Sequence, residues 1–471
     1  MGLRPEWNQT PIADAIKAKS CRDPRSQTAL QTRAARGRVR WHVVADPMTP
    51  SSIEILASTL FGLAVLHTFC VKFFARWASR HPEGSLLENL FHFFAETEVV
   101  FGLWAAVLFL GITAMEGSLE ASIAYINRLQ FNEAKFVFVI MVMAATRPVV
   151  RQAEILINCI ARWMPLKEGA AFYLAALSFG TLLGSLITEP AAMTLVAILL
   201  KRRFFDRGIS PRLAYATLGL LFVNISIGGT LTHFAAPPVL LVAGKWHWDT
   251  PFMIGHLGWR AAASCLSSTL LTVFFFCKEL NNHKSQATEP SAVPLWLTLL
   301  HVALMALVVK LAHHPDVFFG VFMIFLGLVT ATKEYQDELK LREGLLVGFF
   351  LAGLVTLGAP QAWWLQPLIS KLDGSMMYFG ATLLTAITDN AALAYLGTLV
   401  EGISDSLKYA LIAGAVTGGG LTLIANAPNP AGAAILRDSP CFNGDGISPL
   451  RLFFWALPPT LVAACFFWML P

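Results

Sequence analysis

Ile187-Thr188-Glu189-Pro190-Ala191-Ala192-Met193 decides the reading of this chain, because it returns in the second half as Ile387-Thr388-Asp389-Asn390-Ala391-Ala392-Leu393. A carboxylate stands third in both copies. Each copy is followed by a second matching signature, Gly228-Gly229-Thr230-Leu231-Thr232 and then Gly418-Gly419-Gly420-Leu421-Thr422, and the ungapped alignment of that signature also sets Pro238 against Pro428. Two signatures repeated in one order point to a duplicated unit.

The surroundings of these signatures are apolar. Of the 471 residues 55% are hydrophobic and only 14% charged, and runs near the ~20 residues that cross a bilayer as a helix recur from Ile53 to Phe74, Val99 to Met115 and Leu345 to Trp364. Backbone groups in lipid must be satisfied within the segment, so helices are expected. The fold class expected is therefore an all-α polytopic membrane protein, with about 10 transmembrane helices plus two re-entrant hairpins. Acids kept inside such a membrane are expensive and point to ion or proton handling. The seven cysteines form no Cys-x-x-Cys pair and fall mostly in apolar runs, where they read as small core residues. The net charge of +5 calls for no nucleic-acid partner, since cytoplasmic loops are rich in Lys and Arg.

Residues 1–47 are polar and basic and read as a disordered tail, with Met48 as an alternative start. Residues 53–115 hold the first two spans. Repeat 1 occupies 135–277, with an amphipathic interfacial helix between Gln152 and Met164, a hairpin over 169–200 and a broken helix over 212–243. A polar linker follows at 278–293, then two connecting spans over 294–332. Repeat 2 occupies 344–471, with a hairpin over 375–401 and a broken helix over 406–437. The apolar sequence from Gly169 to Leu200 is too long for one ordinary span and is interrupted at Thr188-Glu189-Pro190, which is why it reads as re-entrant. Lys201, Arg202, Arg203, Arg207 and Arg212 place the exit of hairpin one inside, whereas Glu401, Asp405 and Lys408 leave hairpin two outside. Opposite orientation of two such units is the arrangement of inverted-repeat transporters with a midplane site.

A helix break at membrane depth exposes carbonyls that can coordinate a cation, and a carboxylate beside them makes a hard-oxygen site for a metal ion or a proton. Glu189 and Asp389 are the expected acids, holding the transported cation and exchanging H+. Thr188 and Thr388 add hydroxyl oxygens and Asn390 an amide oxygen. Thr232, Thr422 and Asn426 complete the polar lining, and interhelical hydrogen bonding is an equal alternative for the two threonines. Gly228, Gly229, Gly418, Gly419 and Gly420 lack a Cβ, so backbone can approach the ion or the tips, or simply a neighbouring helix. Glu96, Glu98, Arg147, Glu154 and Arg260 read as interfacial or paired, with a place on a proton path as their alternative role.

Thr385-Ala386-Ile387-Thr388-Asp389-Asn390-Ala391-Ala392, with Gly418 through Pro430, resembles the putative Na+/H+ antiporter family of the bacterial ion-transporter superfamily, and the similarity runs from about Glu96 to the C-terminus. The resemblance implies two inverted repeats, each with a re-entrant hairpin and a broken helix. It also implies a homodimer of scaffold and mobile transport parts in a bacterial inner membrane. Carboxylate-transporting branches carry Ser-Asn-Thr triplets at the hairpin tips. Here the tips read Ile-Thr-Glu-Pro and Ile-Thr-Asp-Asn, and a fixed negative charge at each would repel an anion. The expected function is thus cation/proton antiport, with Na+ and H+ as cargo, no resident cofactor, and lipid as the surroundings. The alternative is a Na+- or H+-coupled symporter of an anion. An intramembrane enzyme is not expected, since the chain has neither His-Glu-x-x-His nor Gly-x-Ser-x-Gly.

Overall fold

A computed structural model describes residues 50–282, 293–442 and 446–469. The expected basic tail over 1–47 and most of the linker over 278–293 lie outside the described residues. Among those described, every regular element is helical.

The chain begins with α1 (Ser52–Ala78), whose start is fixed by a capping box between Ser51 and Glu54. A short α2 (Leu86–Ala95), which the sequence reading did not separate, leads to α3 (Thr97–Glu116) and α4 (Leu119–Ile126). Next come α5 (Asn132–Ala144) and α6 (Arg147–Trp163), the amphipathic helix, which starts at Arg147 and not at Gln152 because Pro148 sits in its first turn. Then follow α7 (Glu168–Ala175), α8 (Gly184–Ile187) and α9 (Glu189–Arg203), with a π-helical turn at Ala176–Gly180. The next helix, α10 (Pro211–Gly228), is capped by Ser210 and buried at every residue from Leu213 to Gly228.

A 3-10 turn and an irregular stretch separate α10 from α11 (Pro237–Trp246). After α12 (Thr250–Met253) and the kinked α13 (Trp259–Asn282) come α14 (Leu295–Lys310), α15 (Pro315–Ala331), α16 (Leu341–Gly358) and α17 (Ala362–Ile369). The second half then repeats the order of the first: α18 (Gly374–Thr385), α19 (Asn390–Thr398), α20 (Asp405–Gly418), an irregular stretch, α21 (Asn429–Leu436) and α22 (Pro449–Ala464).

Among the described residues six helical stretches are long and apolar enough to cross a membrane, and α14 and α15 are shorter apolar helices. The expected figure of about 10 also counted α5, which is only 13 residues, and the second broken helix, which is split into two short pieces. Neither can span ~30 Å as one straight helix at 1.5 Å per residue.

One register repeats in both halves. Asn224 donates to the Leu177 carbonyl, a Cβ on Gly228 would stand 2.8 Å from the Thr181 carbonyl oxygen, and Thr232 donates to the Ser185 carbonyl; the partners are always 47 residues apart. In the second half Gly414 meets Tyr378, Gly418 meets Thr382, and Thr422 donates to the Ala386 carbonyl, always 36 apart. A constant separation at steps of one helical turn means that the segment before each tip runs parallel to the broken helix it packs on. The segment after the first tip runs the other way: Phe172 lies against Arg203, Gly180 against Val196 and Gly184 against Ala192.

The cysteines depart from the sequence reading. Cys265 and Cys441 are buried, but Cys70, Cys159, Cys277 and Cys465 are exposed on the outer surface, and all six are free. An apolar run does not say which face of its helix turns to the bundle and which to lipid.

Candidate functional site

At the first tip the chain must turn between α8 and α9 without a gap. Thr188 does this at φ +73°, ψ 151°, a region that L-residues other than glycine rarely enter. Glu189 is then the first residue of α9, and Pro190 follows it where a missing N–H costs nothing. The Glu189 side chain has no exposed surface. Its Oε2 accepts a 3.0 Å hydrogen bond from Asn426 Nδ2 in the other half, and its Oε1 has no partner. Gly229 forms the wall beside it, where a Cβ would stand only 2.5 Å from Oε1. Ser185 ties the tip to the broken helix, donating to the Gly228 carbonyl at 2.7 Å and accepting from Leu231 N–H at 2.8 Å.

The second tip is built differently. Asp389 is the N-cap of α19 and accepts from Ala391 N–H at 2.7 Å, so one of the helix's orphan donors is met. The preceding Thr388 lies in the bend after α18 and donates to the Leu384 carbonyl at 2.8 Å. Both side chains are partly exposed. They line a cavity of about 210 Å³, together with Asn426, Glu98 of α3 and side chains of α1 and α16.

The irregular stretches of the two broken helices bring the tips together. Asn390 N–H donates to the Ala425 carbonyl at 3.1 Å, while the next residue, Asn426, reaches Glu189. A single turn of the second half therefore holds both tips. Around it the backbones touch: a Cβ on Gly419 would stand 2.1 Å from Ser226 Oγ, and one on Gly420 would stand 2.4 Å from the backbone of Val223. Ser226 donates to the Val416 carbonyl at 2.7 Å, and Asn429 braces the turn by donating to the carbonyls of Gly419 and Thr422.

Buried polar atoms normally find partners. Here Thr188 Oγ1, Glu189 Oε1, Thr385 Oγ1, Asn390 Oδ1, Asn426 Oδ1 and Asn429 Oδ1 have none within the protein, and all six belong to the tips or to the turn between them. They are hard oxygens, the donor type that suits alkali and alkaline-earth cations. Among the described residues no three or more His, Cys, Asp or Glu side chains cluster, so any cation here is held by mixed carboxylate, amide and hydroxyl oxygens.

The structure thus brings Glu189, Gly229 and Asn426 into contact, and likewise Asn390, Gly419 and Ser226. Asp389 stands in its own cavity. Thr232 and Thr422 spend their hydroxyl protons on helix-to-helix bonds, and Gly228 and Gly418 lie against carbonyls of the segments before the tips. Of the outlying charges, Glu96 pairs with Arg342, Arg147 with Asp337 and Glu154 with Arg151. Ser185, Ser226, Thr385 and Asn429 escaped the sequence reading. Asn429 and Thr385 lie inside the quoted signatures, but the two serines stand in apolar helix where a hydroxyl usually bonds its own preceding turn.

A family model described as putative Na+/H+ antiporter matches residues 52–470. No curated protein matches the chain.

Proposed function

The chain belongs to the putative Na+/H+ antiporter family, and from that premise we propose that it exchanges a small cation, Na+ first among them, for H+ by alternating access, with Asp389 and Glu189 as the carrying carboxylates. The observation that carries the reading is the set of unpartnered oxygens gathered where two tips and two broken helices meet. A carboxylate there can hold either a cation or a proton, and competition for the same oxygens is the simplest basis of exchange. In this reading α7 to α9 and α18 to α19 are re-entrant hairpins entering from opposite faces of the membrane, and the units are inverted repeats. The chain works as a homodimer in a bacterial inner membrane. Parallel packing of each pre-tip segment on its broken helix supports the duplicated architecture. Two acids allow more than one proton per cycle, which makes transport sensitive to membrane voltage.

The test is proton flux in inside-out vesicles, followed with a pH-sensitive dye while NaCl, LiCl, KCl and CaCl2 are added in turn. Dissipation of the pH gradient by one of these cations, lost in Asp389→Asn, is the expected result. A wild-type protein for which no cation moves protons would overturn the proposal.

A further inference from the structure

Beside the cavity of Asp389 lies a second one of about 230 Å³, bounded by the C-terminal half of α1, the start of α22 and the irregular stretch between α20 and α21. Its walls are mostly apolar, with Phe69 and Val71 from α1, Leu452 from α22, and Leu423 and Ile424 from the irregular stretch. Two threonines line it as well, but Thr68 donates to the Val65 carbonyl and Thr422 to the Ala386 carbonyl, so neither has a proton left for a ligand. Both α1 and α22 are long and apolar enough to cross a membrane, and next to these wall residues they turn Leu66, Phe73, Leu450 and Phe454 outward. The groove thus opens toward lipid.

Positive charge collects at its mouth. Lys72 lines the groove and is exposed, and Arg76, one turn further on, folds back so that its Nε donates to the Lys72 carbonyl at 3.4 Å. Neither forms an ion pair among the described residues. Pro449 brings the N-terminus of α22 to the same groove, and a helix start carries partial positive charge. Since α1 continues to Ala78, the stem of Lys72 leaves the helix about 9 Å short of its end, between the lipid-facing rings of Phe69 and Phe73. A cation in such a place calls for an anion at the same depth.

These features select a chemical class. A soluble anion would answer the two cations and leave the apolar groove empty. An uncharged lipid would fill the groove and leave the cations without a counter-ion. An anionic phospholipid does both, as basic pockets between membrane helices do with charged headgroups. Its chain would also touch a consequential place, because Leu423 and Ile424 lead straight into Ala425 and Asn426, the turn that holds both tips.

We propose that the groove between α1, α22 and the second broken helix holds one anionic phospholipid of the bilayer, its phosphate against Lys72 and Arg76 and an acyl chain along Phe69, Leu423, Ile424 and Leu452. The lipid braces the turn that joins the two tips. The site stands whether or not the chain exchanges cations.

Native mass spectrometry of the full chain, stripped of lipid in detergent and then offered dioleoylphosphatidylglycerol or dioleoylphosphatidylcholine, tests the site. One phosphatidylglycerol per chain should be held at least about tenfold more tightly than phosphatidylcholine, which has the same acyl chains and no net charge. Lys72→Gln combined with Arg76→Gln, both at exposed positions, should abolish that preference, whereas Arg162→Gln, at an exposed base of α6, should leave it intact. Val71→Trp, which fills the groove, should release the lipid although both cations remain. Glycerol 3-phosphate, a phosphate without acyl chains, should not displace it. Equal retention of the two lipids, a preference that survives loss of Lys72 and Arg76, wild-type retention in Val71→Trp, or displacement by glycerol 3-phosphate would each overturn the proposal, the last leaving only an anion site. Thermal unfolding reads the brace: phosphatidylglycerol should raise the melting temperature of wild type and not of the double variant, and an unchanged wild type removes the brace.

Discussion

At the first tip the carboxylate is walled in: Glu189 has no exposed surface, Gly229 presses on one oxygen and Asn426 holds the other. At the second, Asp389 caps a helix and looks into a cavity. Nearly the same seven letters thus end in a sealed acid and an accessible one. The substitutions between the copies explain much of this. Glu189 is followed by Pro190 and sits inside its helix, so its longer side chain must extend into the neighbouring turn. Asp389 is shorter and is followed by Asn390, so it folds back onto its own helix start, the usual work of an N-cap aspartate. Two copies of one motif thus set their acids in two surroundings: Glu189 bonds across the halves inside the cluster of unpartnered oxygens, and Asp389 faces the cavity beside it.

The sharpest way to break this division is to neutralise the acids one at a time. Asp389→Asn should cut cation-dependent proton flux at least a hundredfold and leave the melting temperature almost unchanged, because asparagine caps a helix as well as aspartate. A large loss of stability instead would mean that the second tip is as structural as the first. The next largest effect is expected at the wall of the sealed acid. Gly229→Ala forces a Cβ to within 2.5 Å of Glu189 Oε1 and should cost about 1–3 kcal/mol, read as thermal unfolding in detergent. Gly62→Ala, inside α1 where a Cβ meets nothing within 4 Å, is the control and should not destabilise, since alanine favours the helix by about 0.5–1 kcal/mol.

The link between the halves can be weighed by a double-mutant cycle. Asn426→Ala should destabilise by about 1–3 kcal/mol, since it strands a buried carboxylate oxygen, and the same change in a Glu189→Met background should cost far less. Equal costs in both backgrounds would show that the bond does not hold the tips together. The smallest effect concerns the two threonines. Thr188→Gly relieves a conformation suited to glycine and should stabilise by about 1 kcal/mol, whereas Thr388→Gly, in the bend after α18, should destabilise by a comparable amount. The same sign at both positions would erase the contrast between the tips.

Much of this organisation is written locally in the sequence. Helix ends at Gly228 and Gly418, and helix starts at Pro237, Glu189-Pro190 and Asn429-Pro430, fall at residues whose backbone chemistry breaks or begins a helix wherever they stand. The acids stand out for the same reason, as charges in apolar sequence. What could not be read is whatever depends on a partner far along the chain. Nothing in Ser226 announces that it will lie against Gly419, nor in Asn426 that its amide nitrogen will reach Glu189. Burial of the cysteines and the difference in exposure between Thr188 and Thr388 also belong to packing, which composition does not encode.

The bond from Asn426 to Glu189 joins residues 237 positions apart. A ribosome adding about 5–20 residues per second takes roughly ten to fifty seconds to cover that distance. For that interval the first acid is already made while the amide that donates to it has not been translated. A nascent first half therefore waits, its carboxylate either neutral or kept near water, until the second half delivers one asparagine.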